Sequence, residues 1–372
     1  MNMEENAQPK TLPWIICLIG ILYFLYETIL KITPYILTDD LKMSFQINNG
    51  AKIAWLSTTY CFIYTLLQIP AGSLLDRFGA RQLLTVAALL ACLGLTLFAG
   101  TPHFHFAVLS QLITGIGGSV ALVGALFLVS QWLTTQKNRA LYLCFVIALS
   151  VAGIALQPHL SAFIDEYGWR STVLLLGIIG GIFSLLFWLF VRNRETETTK
   201  AASQSVITNC TMVFKNTKNW LIAIIAALMY APAVLFAFSF GEHLLKSHYS
   251  LLTTSDIAAI NLLIFIGWLL GNPVIGACSD LFQRRKLFIA IGAFGLVVCL
   301  LSLAYCSALT LMITGLLFFL LGLFSSFSNL SYALIIESNP PTVTGTAIGF
   351  LNFIIVGGNL LFFHLFQYRL FT

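Results

Sequence analysis

The amino-acid sequence predicts an all-α polytopic membrane protein, and composition, hydropathy and the length of the apolar stretches each indicate this class. Charged residues make up 9% of the 372-residue chain and hydrophobic residues 59%, whereas a soluble domain carries roughly 25% charged residues. The mean hydropathy is +0.92. Several apolar stretches exceed the ~20 residues that a helix needs to cross the hydrocarbon core of a bilayer.

The apolar stretches predict about eleven membrane-spanning helices. We expect helices because an open strand in lipid would leave its backbone groups without hydrogen-bond partners. In chain order, the predicted spans cover residues 13–37, 52–75, 82–100, 104–132, 140–165, 171–191, 219–243, 256–279, 286–306, 308–336 and 343–368.

Lysine and arginine residues are concentrated in alternate connections between these spans. The connections that follow the second, fourth, sixth and eighth spans hold most of them. Because cytoplasmic connections of membrane proteins carry an excess of Lys and Arg, we predict a multi-pass protein of the inner (cytoplasmic) membrane. The same rule places the N-terminus in the cytoplasm.

The longest polar interruption divides the chain into two parts. We predict an N-terminal lobe of six helices over 1–191, a cytoplasmic linker over 192–218, and a C-terminal lobe of about five helices over 219–372. The second part of the linker, 206–218, is a candidate for a short helix at the membrane surface.

Residue patterns of catalysis and of metal binding are missing from the sequence. The eight cysteines show no framework spacing, and His103 and His105 lack further ligands for a metal site. The sequence shows no nucleophile–base pair or phosphate-binding loop, so we predict that the protein is not an enzyme and holds no cofactor. We expect no nucleic-acid partner, because the basic residues are scattered in short connections between the spans. We expect a monomer whose partners are lipid and a small-molecule substrate.

An internal duplication links the two halves. Gln68-x-x-x-Gly72-x-x-x-Asp76 ends the second span, and Asn272-x-x-x-Gly276-x-x-x-Asp280 ends the eighth, with an offset of 204 residues at all three positions. The same offset relates Tyr26 to Tyr230. Halves with weak internal symmetry are typical of membrane transporters.

The connection after the second span carries a recognisable motif. Its residues, Gly72-Ser-Leu-Leu-Asp76-Arg77-Phe-Gly79-Ala-Arg81, resemble the loop signature G-x-x-x-D-R-x-G-x-R of the major facilitator superfamily. The copy after the eighth span keeps Gly, Asp and a basic pair and lacks the Arg after Asp and the second Gly. This second copy contains Gly276, Asp280, Arg284 and Arg285.

Two further segments extend the resemblance. Pro341-x-x-x-Gly345-Thr346-Ala347 is similar to the entry of span eleven in that superfamily. Met229-Tyr230-Ala231-Pro232 resembles span seven of a bacterial branch that is distantly related to lysosomal dipeptide transporters. The resemblance implies the major facilitator fold, with two pseudo-symmetric helical lobes that work by rocker-switch alternating access.

Only a few residues follow the eleventh predicted span, whereas a full member of the superfamily has twelve. We therefore expect the twelfth span to be missing. This expectation leaves open whether the chain is active.

The resemblance also implies that the motif residues act in gating. Asp76 would meet the N-terminus of span eleven, and Arg77 and Arg81 would hold the loop. By symmetry, Asp280 would meet the start of span five near Arg139. The alternative is that the basic residues only set the topology. The predicted gating residues are Gly72, Asp76, Arg77, Gly79, Arg81, Gly276, Asp280, Arg284 and Arg285.

Two charged residues lie inside the first span. Glu27 and Lys31 are four residues apart and so share one helix face. Charges within spans cost ~2.5 kcal/mol or more at the bilayer centre, so this pair predicts a substrate site. Lys31 would contact a substrate carboxylate and Glu27 an ammonium. The alternative is an internal ion pair that only stabilises the helix.

Several polar residues of other spans are weaker candidates for the substrate site. For each of them, the alternative is a hydrogen bond between helices, and for Asn261 we favour that alternative. The candidates that we retain are Tyr26, Tyr230, Gln68, Asn272 and Asn352.

Together these patterns predict a secondary active or facilitative transporter of a small organic solute. An amino acid, a short peptide or another small polar metabolite is the expected substrate, and a proton is the coupling ion that we consider. The alternatives are a transporter-like receptor, an inactive truncated facilitator, or an organic-anion or sugar transporter of the same fold.

Overall fold

The structure is a computed structural model that describes residues 11–47, 50–193, 205–249, 251–306 and 309–371. All regular secondary structure in these ranges is helical, which confirms the predicted fold class. Ten helical segments of this part of the chain are long and apolar enough to cross a membrane.

The described residues of the first half, 11–47 and 50–193, form ten helices. Their bounds are α1 Leu12–Ile36, α2 Thr38–Phe45, α3 Gly50–Leu66, α4 Gln68–Phe78, α5 Ala80–Gly100, α6 Phe104–Gly118, α7 Ala121–Trp132, α8 Arg139–Ala155, α9 Gln157–Tyr167 and α10 Trp169–Phe190.

The second half, as far as its residues are described, forms eight α-helices and short segments of other helix types. The α-helices are α11 Val206–Lys215, α12 Thr217–Leu235, α13 Gly241–His248, α14 Thr254–Phe282, α15 Arg285–Tyr305, α16 Leu311–Ser326, α17 Leu330–Glu337 and α18 Thr344–Phe371. A π-helix, Phe236–Phe240, joins α12 to α13, and 3₁₀ turns cover Phe327–Asn329 and Pro341–Val343.

Proline residues explain why two predicted spans consist of two helices each. The predicted span 52–75 is present as α3 and α4, which meet at Leu67. Pro70 has no N–H to donate to the carbonyl four residues earlier, and hydrogen bonding resumes from Ala71 N–H to the Leu67 carbonyl at 2.8 Å. Pro158 has the same effect between α8 and α9.

The chain divides into two compact units. The first comprises Met1–Thr134 with Gly153–Val206, and the second comprises Thr135–Ala152 with Ile207–Thr372. The boundary at residue 206 lies inside the predicted linker, of which 194–204 lie outside the described residues. The first part of α8 groups with the second unit. The predicted lobe boundaries stay a prediction.

Small residues bring helices close together within each unit. In the first unit, α5 packs against α6 and α10, and α1 packs against α7. In the second unit, α14 packs against α16. A Cβ at Gly267 would meet the backbone carbonyl of Phe319, and a Cβ at Gly322 would meet the backbone carbonyl of Ile264. Such close backbone approach is typical of membrane helices, where association depends on packing rather than on the hydrophobic effect.

Candidate functional site

Glu27 and Lys31 form an ion pair on one face of α1. The Lys31 Nζ lies 3.1 Å from Glu27 Oε1 and 3.5 Å from Oε2. The Glu27 side chain is 1% exposed, whereas the Lys31 side chain is 33% exposed. The Glu27 side chain is therefore buried, and the Lys31 side chain is the more exposed of the two.

Two tyrosines of α3 complete this arrangement. Tyr60 donates its hydroxyl proton to Glu27 Oε1 at 2.8 Å, and the Lys31 Nζ lies 4.2 Å from the ring centroid of Tyr64. The two rings stack with centroids 6.2 Å apart. We call Glu27, Lys31, Tyr60 and Tyr64 the Glu27 cluster.

A glycine makes room for the Glu27 cluster. The Tyr60 hydroxyl lies where a Cβ at Gly118 of α6 would be. The sequence analysis did not select Tyr60 or Tyr64. Their spacing of four residues in the second span was the available signal, because it places both rings on one helix face.

Hydrogen bonds hold Tyr26 and Gln68 in the helix packing of the first unit. Tyr26 donates to the Leu176 carbonyl of α10 at 2.7 Å. Gln68 is fully buried and donates from Nε2 to the carbonyls of Tyr64 at 3.0 Å and Ser119 at 3.2 Å. For both residues these contacts support the alternative of hydrogen bonding that holds the helices.

Tyr230 and Asn272 both contact Trp268 in the second unit. The rings of Tyr230 and Trp268 stack at 5.9 Å, and Asn272 donates from Nδ2 to the Trp268 carbonyl at 2.8 Å. Asn329 donates to Asn272 Oδ1 at 2.8 Å, and Trp268 donates from Nε1 to the Ser325 hydroxyl. The sequence analysis missed Trp268 and Asn329.

The other two amide candidates are Asn352 and Asn261. Asn352 accepts a hydrogen bond from the Tyr332 hydroxyl at 2.9 Å. Asn261, for which we favoured an interhelical hydrogen bond, has an Oδ1 atom that accepts none from the described residues.

The first motif loop is held by two residues that lie far away in sequence. Gly79 has φ +80° and ψ 165°, a conformation that is essentially restricted to glycine. The Asn193 side chain occupies the place of a Cβ at residue 79 and accepts a hydrogen bond from the Arg81 N–H at 3.1 Å. Arg81 also donates to the Trp188 carbonyl at 3.0 Å, with its guanidinium 4.4 Å from the Trp188 ring centroid.

The remaining residues of that motif differ in exposure. Gly72 and Asp76 are buried, whereas Arg77 is exposed, with its guanidinium 5.2 Å from the ring centroid of Phe78. Arg81 and Asn193 thus anchor the loop locally.

The second motif copy caps the first turn of α8 within the second unit. The Asp280 carboxylate accepts hydrogen bonds from the N–H groups of Ala140 at 3.2 Å and Leu141 at 2.7 Å. A Cβ at Gly276 would lie 2.8 Å from the Ala140 carbonyl oxygen and from Leu141 Cα, so only glycine allows this close approach. A carboxylate at a helix N-terminus is favoured by the free N–H groups and the helix dipole.

A buried arginine joins Asp280 to a second acid. Arg285 contacts Asp280 Oδ1 from Nη1 at 2.6 Å and Glu337 Oε1 from Nη2 at 3.0 Å. Arg139 Nη1 approaches the same Glu337 oxygen at 3.9 Å. Arg284, the other member of the basic pair, is exposed. We call Asp280, Arg285, Glu337 and Arg139 the Arg285 network.

Comparison with known proteins extends these observations to a family. The sequence profile of the Major Facilitator Superfamily matches residues 15–362. The chain is 24% identical over 189 residues to a probable L-galactonate transporter of Escherichia coli, a match that covers 50% of this chain and 40% of that protein. It is 28% identical over 195 residues to a chloroplastic ascorbate transporter of Arabidopsis thaliana, covering 50% and 35%.

The chain thus spans about half the length, or less, of these curated relatives. Among solved structures, the proton:xylose symporter XylE superposes with a TM-score of 0.75 at 16% identity, over 97% of this chain and 90% of that one. This likeness shows the fold. Because the family profile extends over nearly the whole sequence, the chain belongs to the major facilitator superfamily.

Proposed function

We propose that the chain is a transporter of a small organic solute and that the Glu27 cluster binds this solute. The observation that carries the proposal is Lys31 on a membrane-spanning helix: its side chain is one-third exposed, and its ammonium lies between a buried carboxylate and a tyrosine ring. Ionisable residues within membrane spans commonly mark substrate pathways. An amino acid, a short peptide or another small metabolite with a carboxylate would fit this cation.

The relatives support a substrate that carries negative charge. Their names give L-galactonate and ascorbate as the transported solutes, and both are small anions at neutral pH. The proposed cycle is alternating access, in which the binding site opens to one side of the bilayer at a time.

The motif residues have a proposed role in gating. Asp280 accepts two hydrogen bonds from the first turn of α8. Arg285 pairs with the Asp280 carboxylate and also with Glu337. We propose that Asp76, with the loop that Gly79, Arg77 and Arg81 form, has the matching role in the first half. These contacts would break and re-form once in each cycle.

Uptake by purified protein in lipid vesicles tests the proposed function. The solutes are labelled amino acids, dipeptides, sugars and organic acids, and the test variant is Lys31→Ala. A charged hydrogen bond contributes roughly 1.5–3 kcal/mol, so loss of the Lys31 contact should weaken apparent substrate affinity by about 10- to 100-fold.

Lys42→Ala is the matched control for Lys31→Ala. Lys42 also pairs with a nearby acid, Asp39 at 2.9 Å, but this pair is exposed on α2. We expect the control to transport at the wild-type rate. Wild-type uptake by Lys31→Ala would contradict the assigned site, and binding without uptake would indicate a receptor-like protein.

A further inference from the structure

An apolar groove of about 240 Å³ lies in the first unit, where α1, α9 and α10 meet. The groove is lined by the half-buried Ile29 and Ile32 of α1, by the exposed Phe163 of α9 and by the exposed Leu175 of α10. All three helices belong to segments that are long and apolar enough to cross a membrane. The exposed lining residues therefore open the groove sideways, towards lipid.

A proline break in the fifth predicted span accompanies the groove. At Gly153, before the break, a Cβ would lie 3.1 Å from Thr28 Cβ of α1, so the two helices approach closely there. After Gly153, α8 ends at Ala155 and α9 begins at Gln157. Pro158 removes one backbone hydrogen bond and redirects the helix that follows it. We attribute the space between α9 and α1 to this change of direction.

His159 is the one titratable residue that lines the groove. Its side chain is exposed, and it has no hydrogen-bond partner among the described residues. A polar side chain that faces hydrocarbon is unfavourable unless it finds a hydrogen-bond partner. The combination of an apolar groove and an unpaired imidazole fits an amphiphile, with its chain in the groove and an acceptor atom at His159.

The depth of His159 identifies the part of a lipid that is within reach. The segment Arg139–Tyr167 has 29 residues, or about 43 Å of helix, whereas the hydrocarbon core is ~30 Å thick. About 6 Å at each end therefore extends into the headgroup region. Because His159 lies about 12 Å from the end of α9 at Tyr167, it lies just inside the hydrocarbon core. Phospholipid ester groups occupy the adjoining boundary.

We propose that the groove binds one acyl chain of a membrane phospholipid and that His159 donates a hydrogen bond to the ester carbonyl of that chain. In the predicted orientation, this lipid belongs to the outer leaflet. A free fatty acid fits less well, because its carboxylate would meet no Lys or Arg among the lining residues. The site is separate from the Glu27 cluster, since Ile29 and Ile32 lie on the face of α1 opposite to Glu27 and Lys31.

Native mass spectrometry of the detergent-purified protein with added dioleoylphosphatidylcholine tests the groove. We expect the wild type to retain one phospholipid. Leu175→Trp places a larger side chain in the groove and should lose this lipid. Leu185→Trp is the matched control, because Leu185 is also an exposed leucine of α10 but does not line the groove. The control should retain the lipid as the wild type does.

The diether analogue of the same phospholipid tests the contact with His159, because it lacks the ester carbonyls. A neutral hydrogen bond of ordinary strength corresponds to an about two- to tenfold difference in affinity. We expect the wild type to bind the diester that much more tightly than the diether. His159→Leu should bind the two lipids equally, since it keeps the apolar groove and has no donor.

A phosphatidylcholine with a photoreactive diazirine in its acyl chain locates the bound lipid directly. Labelling of the wild type should concentrate on the lining residues of α9 and α10, and it decides the matter if Leu175→Trp fails to fold. Equal labelling at Leu175 and Leu185 would mean ordinary surrounding lipid and would overturn the inference. So would retention by Leu175→Trp, an equal affinity of the wild type for diester and diether, or retention of oleate instead of phospholipid. Solute uptake decides none of these outcomes, so the proposed transport function is judged separately.

Discussion

Replacing Arg285 by Met should destabilise the protein far more than the same change at its neighbour Arg284. Arg285 is 7% exposed and binds Asp280 at 2.6 Å and Glu337 at 3.0 Å, whereas Arg284 is exposed. The two residues are adjacent and of one type, so the comparison isolates the effect of burial and pairing.

The expected loss of unfolding free energy follows from the two carboxylates that lose their partner when the Arg285 guanidinium is removed. The Asp280 side chain, 6% exposed, becomes a buried carboxylate without its cation, and breaking a buried pair in this way costs ~3–5 kcal/mol. Asp280 keeps its two hydrogen bonds from α8, which places the loss near the lower limit. Glu337 is 29% exposed and remains close to Arg139, so the loss of its pair with Arg285 costs only about 0–1 kcal/mol of stability.

The assay is reversible unfolding in mixed micelles, followed by tryptophan fluorescence. We expect Arg285→Met to lower the free energy of unfolding by about 3 kcal/mol and Arg284→Met by less than about 0.5 kcal/mol. The double variant Asp280→Asn/Arg285→Met should lose less than the two single variants combined, because it leaves no buried charge unpaired. Equal losses for Arg284→Met and Arg285→Met would refute the reasoning.

Two glycine substitutions test the close contacts of the motif copies, each against a glycine in open space. Gly276→Ala should lower the unfolding free energy by ~1–3 kcal/mol, because its Cβ meets backbone atoms of α8 at 2.8 Å. The control Gly100→Ala has nothing within 4 Å of its Cβ. It should be neutral or slightly stabilising in the same unfolding assay. Gly79→Ala and Gly168→Ala both place alanine at φ +80°, a strain of ~1–3 kcal/mol, but only Gly79→Ala also displaces Asn193. Thermal unfolding should therefore show the larger loss for Gly79→Ala, and equal losses would mean that the Asn193 contacts contribute nothing.

The sequence was sufficient to predict the helical fold, because apolar stretches of bilayer length admit few other structures. Asp280 contacts the start of α8, as the family resemblance and the duplicated motif together implied, and its role in gating stays a prediction. The rotation of a helix is harder to infer. Arg284 and Arg285 are equivalent in the sequence pattern, yet only Arg285 turns into the network.

Partners that are distant in sequence escaped prediction for a different reason. Asn193 lies 112 residues from Arg81, and Tyr60 lies 33 residues from Glu27. A polar residue at the end of a span or a tyrosine within one has many available roles, and periodicity does not select among them. Only the packing of α3 against α1 and of α10 against α5 decides which of these side chains meet.

The π-helix after α12 limits how far the internal duplication can guide mutagenesis. In this segment the Gly241 N–H bonds to the carbonyl five residues earlier, Phe236, so the turn holds one residue more than an α-helical turn. One extra residue rotates everything beyond it by roughly 100° about the helix axis. Tyr230 precedes the turn, so the extra residue does not affect its predicted equivalence to Tyr26. Within α13, a fixed shift of 204 positions would align residues that point in different directions, so equivalents in that helix must be chosen by superposing coordinates.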